Sequence, residues 1–367
     1  ARRRARRLPW RSAPAPGDRL TRPRLAAVLE DVATGGRSGF FNAEVEAGII
    51  EATEGAVTAE DLARPQADWI EPVGLDVFGH TAWTIPPNSQ GYLTLATLAI
   101  FESLDPPSDP NDPLFIHLLI EAYRSVAWER ADTVSDPHTA PAPSDLLDPK
   151  RLATRAAQIS PIGTTRWPVP EPAPGGTAYM TVLDASGLGV SFIQSNFAGI
   201  GSGLSAGGTG VWLHNRGAGF NLIPGHRNEY EPGKRPLHTL SPTLWTSGSD
   251  LALLLGTRGG DQQPQFLAHF AATHFHGQHC IDDSQPVPRW NMEQPEPGTD
   301  SSLRVEDRMA RSSVDGLRGL GHTVRLAGSF ESGWGPISAI DLENAGGTWK
   351  GSADPRVSTS SAVASTA

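Results

Sequence analysis

Residues 166–176 form a proline-rich segment that ends in two glycines, and an apolar alternation starts directly after it at Thr177. Proline lacks a backbone N–H and fixes its own φ, so this segment cannot be a helix or a central strand. Residues 177–183 alternate as a strand does, residues 184–187 have the composition of a turn, and residues 188–196 are typical of a second strand. We therefore predict a β-hairpin that begins at Thr177. Thr177 faces Gln194 if the turn has two residues and Ser195 if it has three.

Thr177 has the setting of a nucleophile that is released by cleavage of the chain. If the bond between Gly176 and Thr177 is cut, the hydroxyl can attack a carbonyl and the freed α-amine can act as its base. Ser195 can orient that hydroxyl from the facing strand. Gly259 and Gly260 follow an apolar strand, where glycines can present backbone N–H groups to an oxyanion without obstruction. The alternative is an ordinary threonine that starts a strand and an ordinary Gly-Gly loop.

Composition and charge bear on several classes of function. The 367 residues carry a formal net charge of −10, so no attraction to nucleic acid is expected. Cys280 is the single cysteine, which excludes an intrachain disulfide, and the cysteine–histidine spacings of structural zinc are missing. Four histidines lie within residues 269–279 without a carboxylate cluster, so we predict neither a metal nor another cofactor. His117 and Glu121 are four residues apart on an apolar helix, where a structural pair is the preferred interpretation.

No apolar run reaches the roughly 18 residues that a membrane-spanning helix needs. This sequence also has no signal peptide, which favours a cytoplasmic location. Periodicity and turn residues predict helices at residues 24–33, 40–55, 59 onward, 91–104, 113–132, 152–159 and 263–276, and strands within residues 73–85, 177–183, 188–196, 251–255 and 336–340. Strands fed by glycine turns, between a helix-rich first half and a later helix, indicate an α+β protein with two packed sheets between helices.

Several segments in a fixed order carry a family resemblance. They are Asp61-Leu62, Trp69-Ile-Glu-Pro72, Pro86-Pro-Asn-Ser-Gln-Gly91, His117 with Glu121-Ala122, and residues 199–215, 232–242 and 251–260. Together they resemble the gamma-glutamyltransferase family of N-terminal-nucleophile hydrolases, over about residues 17–356. The resemblance implies a four-layer αββα sandwich. It also implies that the chain is a fragment lacking the first part of a large subunit.

The resemblance divides the chain at the proposed cleavage bond. Residues 1–16 are expected to be a basic, disordered arm, and residues 17–176 to be the last part of the large-subunit region. Residues 177–357 are expected to be the small catalytic subunit, followed by a disordered tail at residues 358–367. Both subunits would derive from one precursor that cleaves itself between Gly176 and Thr177.

For the chemistry, the resemblance implies that Thr177 is the nucleophile and that Ser195 supplies the hydroxyl that orients it. It implies that Gly259 and Gly260 form the oxyanion hole. The expected activity is transfer or hydrolysis of a gamma-glutamyl or related acyl group from glutathione-like amides, through an acyl-enzyme on Thr177. The alternatives are an acylase of the same class with a different acyl donor, and a catalytically incomplete fragment.

Substrate recognition departs from the family pattern. Arg216 and Gly219 stand where the family holds the glutamyl ammonium group with a Gln or Glu and an Asp. A cation and a glycine cannot hold an ammonium group. Arg216 instead either binds an acyl-group carboxylate or braces its own loop.

Two further positions complete the expected substrate site. His238 and Thr239 match a serine pair that contacts the α-carboxylate in the family, and Phe197 falls on a family asparagine, with Asn196 beside it. We therefore expect Asn196, Arg216, His238 and Thr239 to contact a small-molecule acyl amide.

Overall fold

The computed structural model describes residues 14–168, 176–293, 298, 300–343 and 348–364. The described helices are α1 Pro23–Phe40, α2 Ala43–Ala52, α3 Ala59–Ala63, α4 Tyr92–Ser103, α5 Pro113–Ala127, α6 Arg130–Thr133, α7 Pro143–Leu146, α8 Pro149–Ala156, α9 Gln263–Ala271, α10 Ile281–Ser284 and α11 Arg311–Gly319. The described strands are β1 Val73–Val77, β2 His80–Thr84, β3 Gly176–Leu183, β4 Gly189–Phe197, β5 Thr243–Ser247, β6 Asp250–Thr257, β7 Trp290–Glu293, β8 Ser302–Glu306, β9 Thr323–Ala327, β10 Ile337–Glu343 and β11 Thr348–Ala353. The predicted basic arm and the linker before Gly176 lie largely outside the described residues.

One compact unit comprises the described part of Ala1–Asp68 together with Gly201–Leu213. Its helices are α1, α2 and α3, and a small apolar core forms from Val28, Val45, Ile49 and Ala206. Thr58 and Asp61 form the capping box that starts α3, because each side chain accepts the other residue's backbone N–H. Gly36, at a φ of 56°, interrupts α1 close to the predicted helix end.

The other unit comprises the described part of Trp69–Ile200 and His214–Ala367. It contains a six-stranded antiparallel sheet in the order β1-β2-β5-β6-β10-β11. The predicted apolar run at residues 251–255 forms the interior of β6, buried as a central strand should be. A three-stranded sheet, β7-β8-β9, pairs β8 with β9 in parallel, and α11 connects those two strands.

The two faces of β6 are covered by different layers. Leu253 and Leu255 join the main apolar core with residues of α4, α5 and α9. Because side chains alternate along a strand, Leu254 and Gly256 point the other way, where the hairpin β3–β4 lies. A Cβ on Gly256 would meet the Tyr179 ring at 1.9 Å, so only glycine lets β3 pack this closely. Helices therefore cover one face of the large sheet and a second, two-stranded sheet covers the other.

The hairpin keeps one apolar face exposed in the described residues. Its exposed side chains are Met180, Val182, Val190 and Phe192. Across the described part of the chain, none of the helices is both long and apolar enough to span a membrane.

Candidate active site

The hairpin has the register that brings two hydroxyls together. The Asp184 N–H donates to the Leu188 carbonyl at 3.1 Å, which leaves three residues in the turn. Thr177 therefore pairs with Ser195, as the three-residue alternative predicts. The Thr177 hydroxyl donates to Ser195 Oγ at 3.2 Å, and both side chains are half-buried.

Ser195 is also held by the backbone at the end of β4. The Phe197 N–H donates to Ser195 Oγ at 2.9 Å. Phe197 has a φ of 76°, a left-handed conformation that is strained for a bulky side chain. The strand pairing also shifts between Gly176 and Thr177. These irregularities lie at the position where the hydroxyl pair sits.

Gly259 and Gly260 form a turn between β6 and the helical segment that leads into α9. Their φ angles are 133° and 58°, both in the region that disfavours L side chains. A Cβ on Gly259 would also crowd the Phe266 ring at 3.3 Å. The sequence between a buried strand and a helix start thus requires glycines, and such a turn can offer backbone N–H groups to an anion.

A cavity of 370 Å³ connects the start of β3 with the end of β6. Tyr179 packs on Gly256, which places β3 against the last residues of β6. Thr177 and the exposed Arg258, which directly precedes the glycine turn, line the same cavity. The remaining lining residues are Ala178–Thr181, Pro336, Ser338–Ile340, Gly351, Ser352, Val357 and Thr359–Val363.

Arg216 lies buried against the end of β4. Its guanidinium carbon is 4.3 Å from the centre of the Phe197 ring, and its Nη1 donates to Thr239 Oγ1 at 3.2 Å. The structure thus brings Arg216, Thr239 and Phe197 together beside Ser195. His214 is a further neighbour, since its Nδ1 accepts the Arg216 N–H at 3.1 Å.

The histidines around Arg216 are neutral. Burial, reinforced by Arg216 and His214, lowers the pKa of His238 to about 4. Burial and the Arg216 charge also lower the pKa of His214. Burial lowers the pKa of Arg216 itself to about 10, against the opposing effect of Asp261. At neutral pH Arg216 is therefore a cation next to two uncharged imidazoles.

Asn196 and Gly219, which the sequence analysis also singled out, do not take part in these contacts. Asn196 is exposed, and its Nδ2 contacts the Ile200 carbonyl at 3.5 Å. Because it alternates with Ser195 along β4, its side chain points away from the hydroxyl pair. Gly219 packs against the backbone of the facing loop, since a Cβ there would lie 2.7 Å from the Leu237 carbonyl oxygen.

The loop at residues 86–91 has a structural role that sequence reasoning missed. Asn88 donates through Nδ2 to the Pro236 carbonyl at 2.7 Å, and its backbone carbonyl accepts the His238 N–H at 2.9 Å. The Ser89 hydroxyl donates to the Leu240 carbonyl. The loop therefore fixes the segment that presents His238 and Thr239.

Gln90 links the substrate segment to the glycine turn. It is fully buried, and its Nε2 donates to the Thr239 carbonyl at 2.8 Å and to the Gly260 carbonyl at 3.0 Å. Its Oε1 accepts from Arg130 Nη1 at 3.3 Å. Arg130 pairs through both terminal nitrogens with Asp261, with Nη2 to Oδ2 at 2.7 Å. The sequence signal was present in the Pro86–Gly91 segment, but it did not indicate the buried partners. Arg130 lies 40 residues after Gln90, and Asp261 lies 131 residues after Arg130.

Within the described residues, His117, Glu121 and His322 are the ligand group close enough together for a metal ion. His117 Nε2 lies 2.8 Å from the Ser160 carbonyl, which can only accept, so this nitrogen carries the proton. His322 Nε2 then donates to His117 Nδ1 at 2.8 Å, and the Ser301 hydroxyl donates to His322 Nδ1 at 2.8 Å. Both imidazoles are neutral and fully hydrogen-bonded in this chain.

Glu121 is engaged separately. It accepts from the Thr165 N–H at 3.0 Å and from Trp167 Nε1 at 3.1 Å, and it pairs with Arg124. His117 and Glu121 are therefore both buried, but each is hydrogen-bonded to partners of its own. In the later histidine cluster, His274 Nδ1 contacts the His279 carbonyl, and His276 Nε2 contacts the Pro106 carbonyl.

An α+β sandwich in which a hairpin starts with a hydroxyl pair beside a glycine turn is the architecture of the N-terminal-nucleophile hydrolases. The predicted fold class is confirmed by a solved structure: cephalosporin acylase from Bacillus halodurans superposes with a TM-score of 0.83 at 28% identity, covering 94% of this chain and 63% of that chain. The profile of the gamma-glutamyltranspeptidase family matches residues 7–364. The chain belongs to this family, as the resemblance predicts.

Two relatives of this chain have names that refer to different substrates. The glutathione hydrolase-like YwrD proenzyme of Bacillus subtilis is 34% identical, with 94% of this chain and 66% of the relative covered. The oxamate amidohydrolase proenzyme of Klebsiella pneumoniae is 33% identical, with 94% and 65% covered. The chain thus spans slightly less than two thirds of the length of these relatives.

Proposed function

We propose that the protein cleaves itself between Gly176 and Thr177 and then acts as an amidohydrolase or acyltransferase through an acyl-enzyme on Thr177. The observation that carries this proposal is the 3.2 Å hydrogen bond from Thr177 to Ser195 at the start of β3. Membership of the gamma-glutamyltranspeptidase family and the names of the two proenzyme relatives support it.

In the maturation step, Thr177 Oγ1 attacks the carbonyl carbon of Gly176 and the C–N bond to Thr177 breaks. The threonine nitrogen takes up the hydroxyl proton, which leaves an ester between Gly176 and the Thr177 oxygen. Water then hydrolyses this ester and regenerates the hydroxyl. The predicted large-subunit and small-subunit regions, residues 17–176 and 177–357, separate at this bond.

In turnover, the new α-amine of Thr177 accepts the hydroxyl proton as Oγ1 attacks the amide carbonyl. The Gly259 and Gly260 N–H groups stabilise the negative oxygen of the tetrahedral intermediate. The amine leaves with a proton, and water or a second amine resolves the ester. Ser195 keeps the Thr177 oxygen aimed at the carbonyl.

The transferred group is gamma-glutamyl or a related acyl group. Arg216 favours the second candidate, an acylase with a different acyl donor, because a buried cation repels the α-ammonium of a glutamyl group. The 33% identity with an oxamate amidohydrolase proenzyme agrees with a non-glutamyl donor.

The test is the intact mass of the full-length protein after expression. We expect two fragments, the smaller beginning Thr-Ala-Tyr-Met. Thr177→Ala should remain one uncut chain, whereas Thr177→Ser, which keeps a hydroxyl, should still cleave. A different start would remove Thr177 from the mechanism. A wild-type chain that stays whole and inactive would support the alternative of a catalytically incomplete protein.

A further inference from the structure

The loop at residues 334–336 lies directly against the glycine turn that follows β6. Gly335 is buried in this loop with a φ of 52°, and a Cβ there would lie 2.3 Å from the Phe266 ring and 2.9 Å from the Arg258 carbonyl oxygen. A Cβ on Gly259 would in turn lie 3.6 Å from Gly335 Cα. The two backbones approach so closely that only glycine fits at residue 335.

Side chains of the turn and of the loop join the two segments. Thr257 is fully buried at the end of β6, and its Oγ1 lies 2.9 Å from the Arg258 carbonyl oxygen and 3.0 Å from the Pro336 carbonyl oxygen. Phe266, whose ring touches both glycine positions, belongs to one small apolar cluster with Trp334. Arg258 and Pro336 also line the cavity that contains Thr177. The contact between loop and turn therefore borders the candidate active site.

A buried ion pair holds the loop from its other side. Arg289 is 3% exposed, and its Nη1 donates to the Trp334 carbonyl at 2.8 Å and to the Gly335 carbonyl at 2.6 Å. Its Nη2 donates to Asp354 Oδ2 at 2.6 Å, and the same oxygen accepts the Ile337 N–H at 2.8 Å. Burial lowers the pKa of Arg289 to about 10, against the effect of Asp354, so Arg289 is a cation at neutral pH. One guanidinium thus fixes two consecutive carbonyls of the loop.

From these contacts we propose that Arg289 and Gly335 are positioning residues for the oxyanion site. Through the loop at residues 334–336 they keep the backbone N–H groups of Gly259 and Gly260 aimed at the carbonyl that Thr177 attacks. This rests on the proposed acyl transfer by Thr177. A buried ion pair adds little net stability compared with apolar side chains of similar size, whereas donors to an oxyanion need exact placement.

Amide hydrogen exchange on the full-length protein tests the contact without relying on catalysis. Arg289→Lys keeps a positive charge beside Asp354 and loses the fork that reaches both carbonyls. Exchange at residues 257–262 should accelerate about tenfold or more, because hydrogen bonds from a charged group are lost, while α4 stays near wild type. Gly335→Ala forces a methyl group into the Phe266 contact and should accelerate the same amides. Unchanged exchange at residues 257–262 in both variants would overturn the proposal.

Turnover by the matured enzyme is the second measurement, made with whichever of the gamma-glutamyl and glutaryl anilides the wild type hydrolyses faster. Both variants should lower kcat about tenfold to a hundredfold and change KM less, because displaced oxyanion donors weaken the tetrahedral intermediate more than the bound amide. Wild-type kcat in both variants would show that the loop does not position the oxyanion site. If the wild-type chain does not cleave itself but exchange responds as expected, the proposed function fails and the role of the loop in holding the turn stands.

Gly333→Ala is the matched control, two residues earlier in the chain. Gly333 is exposed, and a Cβ there would meet nothing within 4 Å, so exchange, kcat and Tm should stay at wild-type values. A loss of kcat in Gly333→Ala equal to that in Gly335→Ala would contradict a specific role for the Gly335 contact. An equal rise of exchange in every peptide of Arg289→Lys would show general destabilisation and would also overturn the proposal. Arg289→Lys decides alone if Gly335→Ala does not fold.

Discussion

At the scale of single residues, the hydroxyl pair was the most predictable part of the site. Thr177 and Ser195 belong to one hairpin, and a three-residue turn is sufficient to bring them opposite each other. The sequence could not show that Asn196 and Phe197 differ in role. The backbone leaves the regular strand conformation at Phe197, whose φ is 76°, and no local sequence pattern indicates this change.

Replacing Ser195 with alanine tests the orienting role. The fold should survive, because one half-buried hydroxyl is lost from a hairpin that keeps its backbone pairing. Self-cleavage and turnover should both slow, on the order of 10- to 1000-fold, as expected for a contact to a nucleophile. The measurements are the rate of appearance of the small fragment and kcat. Ser195→Thr retains the hydroxyl and should stay within about tenfold of wild type. Unchanged rates in the alanine variant would exclude Ser195 from the mechanism.

At the scale of elements, the glycine turn is held by a buried hydrogen-bonded network whose residues come from distant parts of the chain. Gln90 precedes α4, Arg130 begins α6 and Asp261 follows β6, yet they form one hydrogen-bonded network. In this network Gln90 Nε2 donates to both the Gly260 carbonyl and the Thr239 carbonyl and so holds them together. Its effect on catalysis should therefore act through the position of the glycine N–H groups.

Gln90→Met keeps the side-chain volume and removes both donors. Two buried carbonyls then lose one donor each, while Thr239 keeps the Ser241 hydroxyl at 3.4 Å and Gly260 keeps the Gln263 N–H, so the free energy of unfolding should fall by about 0.5–1.5 kcal/mol for each hydrogen bond lost. We also expect kcat to fall roughly tenfold to a hundredfold, because small displacements of catalytic groups cost that much. KM should change less. Denaturant unfolding and steady-state kinetics measure the two effects.

Gln265→Met is the matched control. Gln265 is buried on α9 and donates to Asn291 Oδ1 at 2.9 Å, not to a carbonyl of the glycine turn. Its Oε1 is buried without a partner, so Gln265→Met should lose less stability than Gln90→Met, and it should keep kcat. Equal losses of kcat in the two variants would mean that the Gln90 effect is one of general destabilisation.

At the scale of the whole molecule, the sequence predicted the helices and strands better than the contacts between them. The amphipathic and apolar runs located α4, α5, β6 and the hairpin, because periodicity reports which face is buried. Contacts such as Arg130 with Asp261, or His117 with His322, join residues 131 and 205 positions apart. No local pattern encodes these contacts, since they follow from how the layers pack.

Buried neutral histidines make the whole molecule sensitive to acid. Burial is the main cause that lowers the pKa of His238 to about 4, of His269 to about 3 and of His322 to about 2. In the unfolded chain the same imidazoles bind protons below about pH 6.5. Between these limits the unfolded state holds more protons than the folded state, so the free energy of unfolding falls as pH falls.

The expected slope is up to about 1.4 kcal/mol per pH unit for each such histidine, between pH 6 and about pH 5. Urea unfolding at a series of pH values measures it, and in this window most ordinary carboxylates are still ionised. His269→Leu removes one fully buried imidazole and should reduce the slope, even if it also shifts the overall stability. His138→Leu, at an exposed position, should leave the slope as it is because that imidazole is solvated in both states. A slope that is the same in wild type and His269→Leu would show that His269 takes up its proton in the folded protein, and that acid sensitivity arises elsewhere.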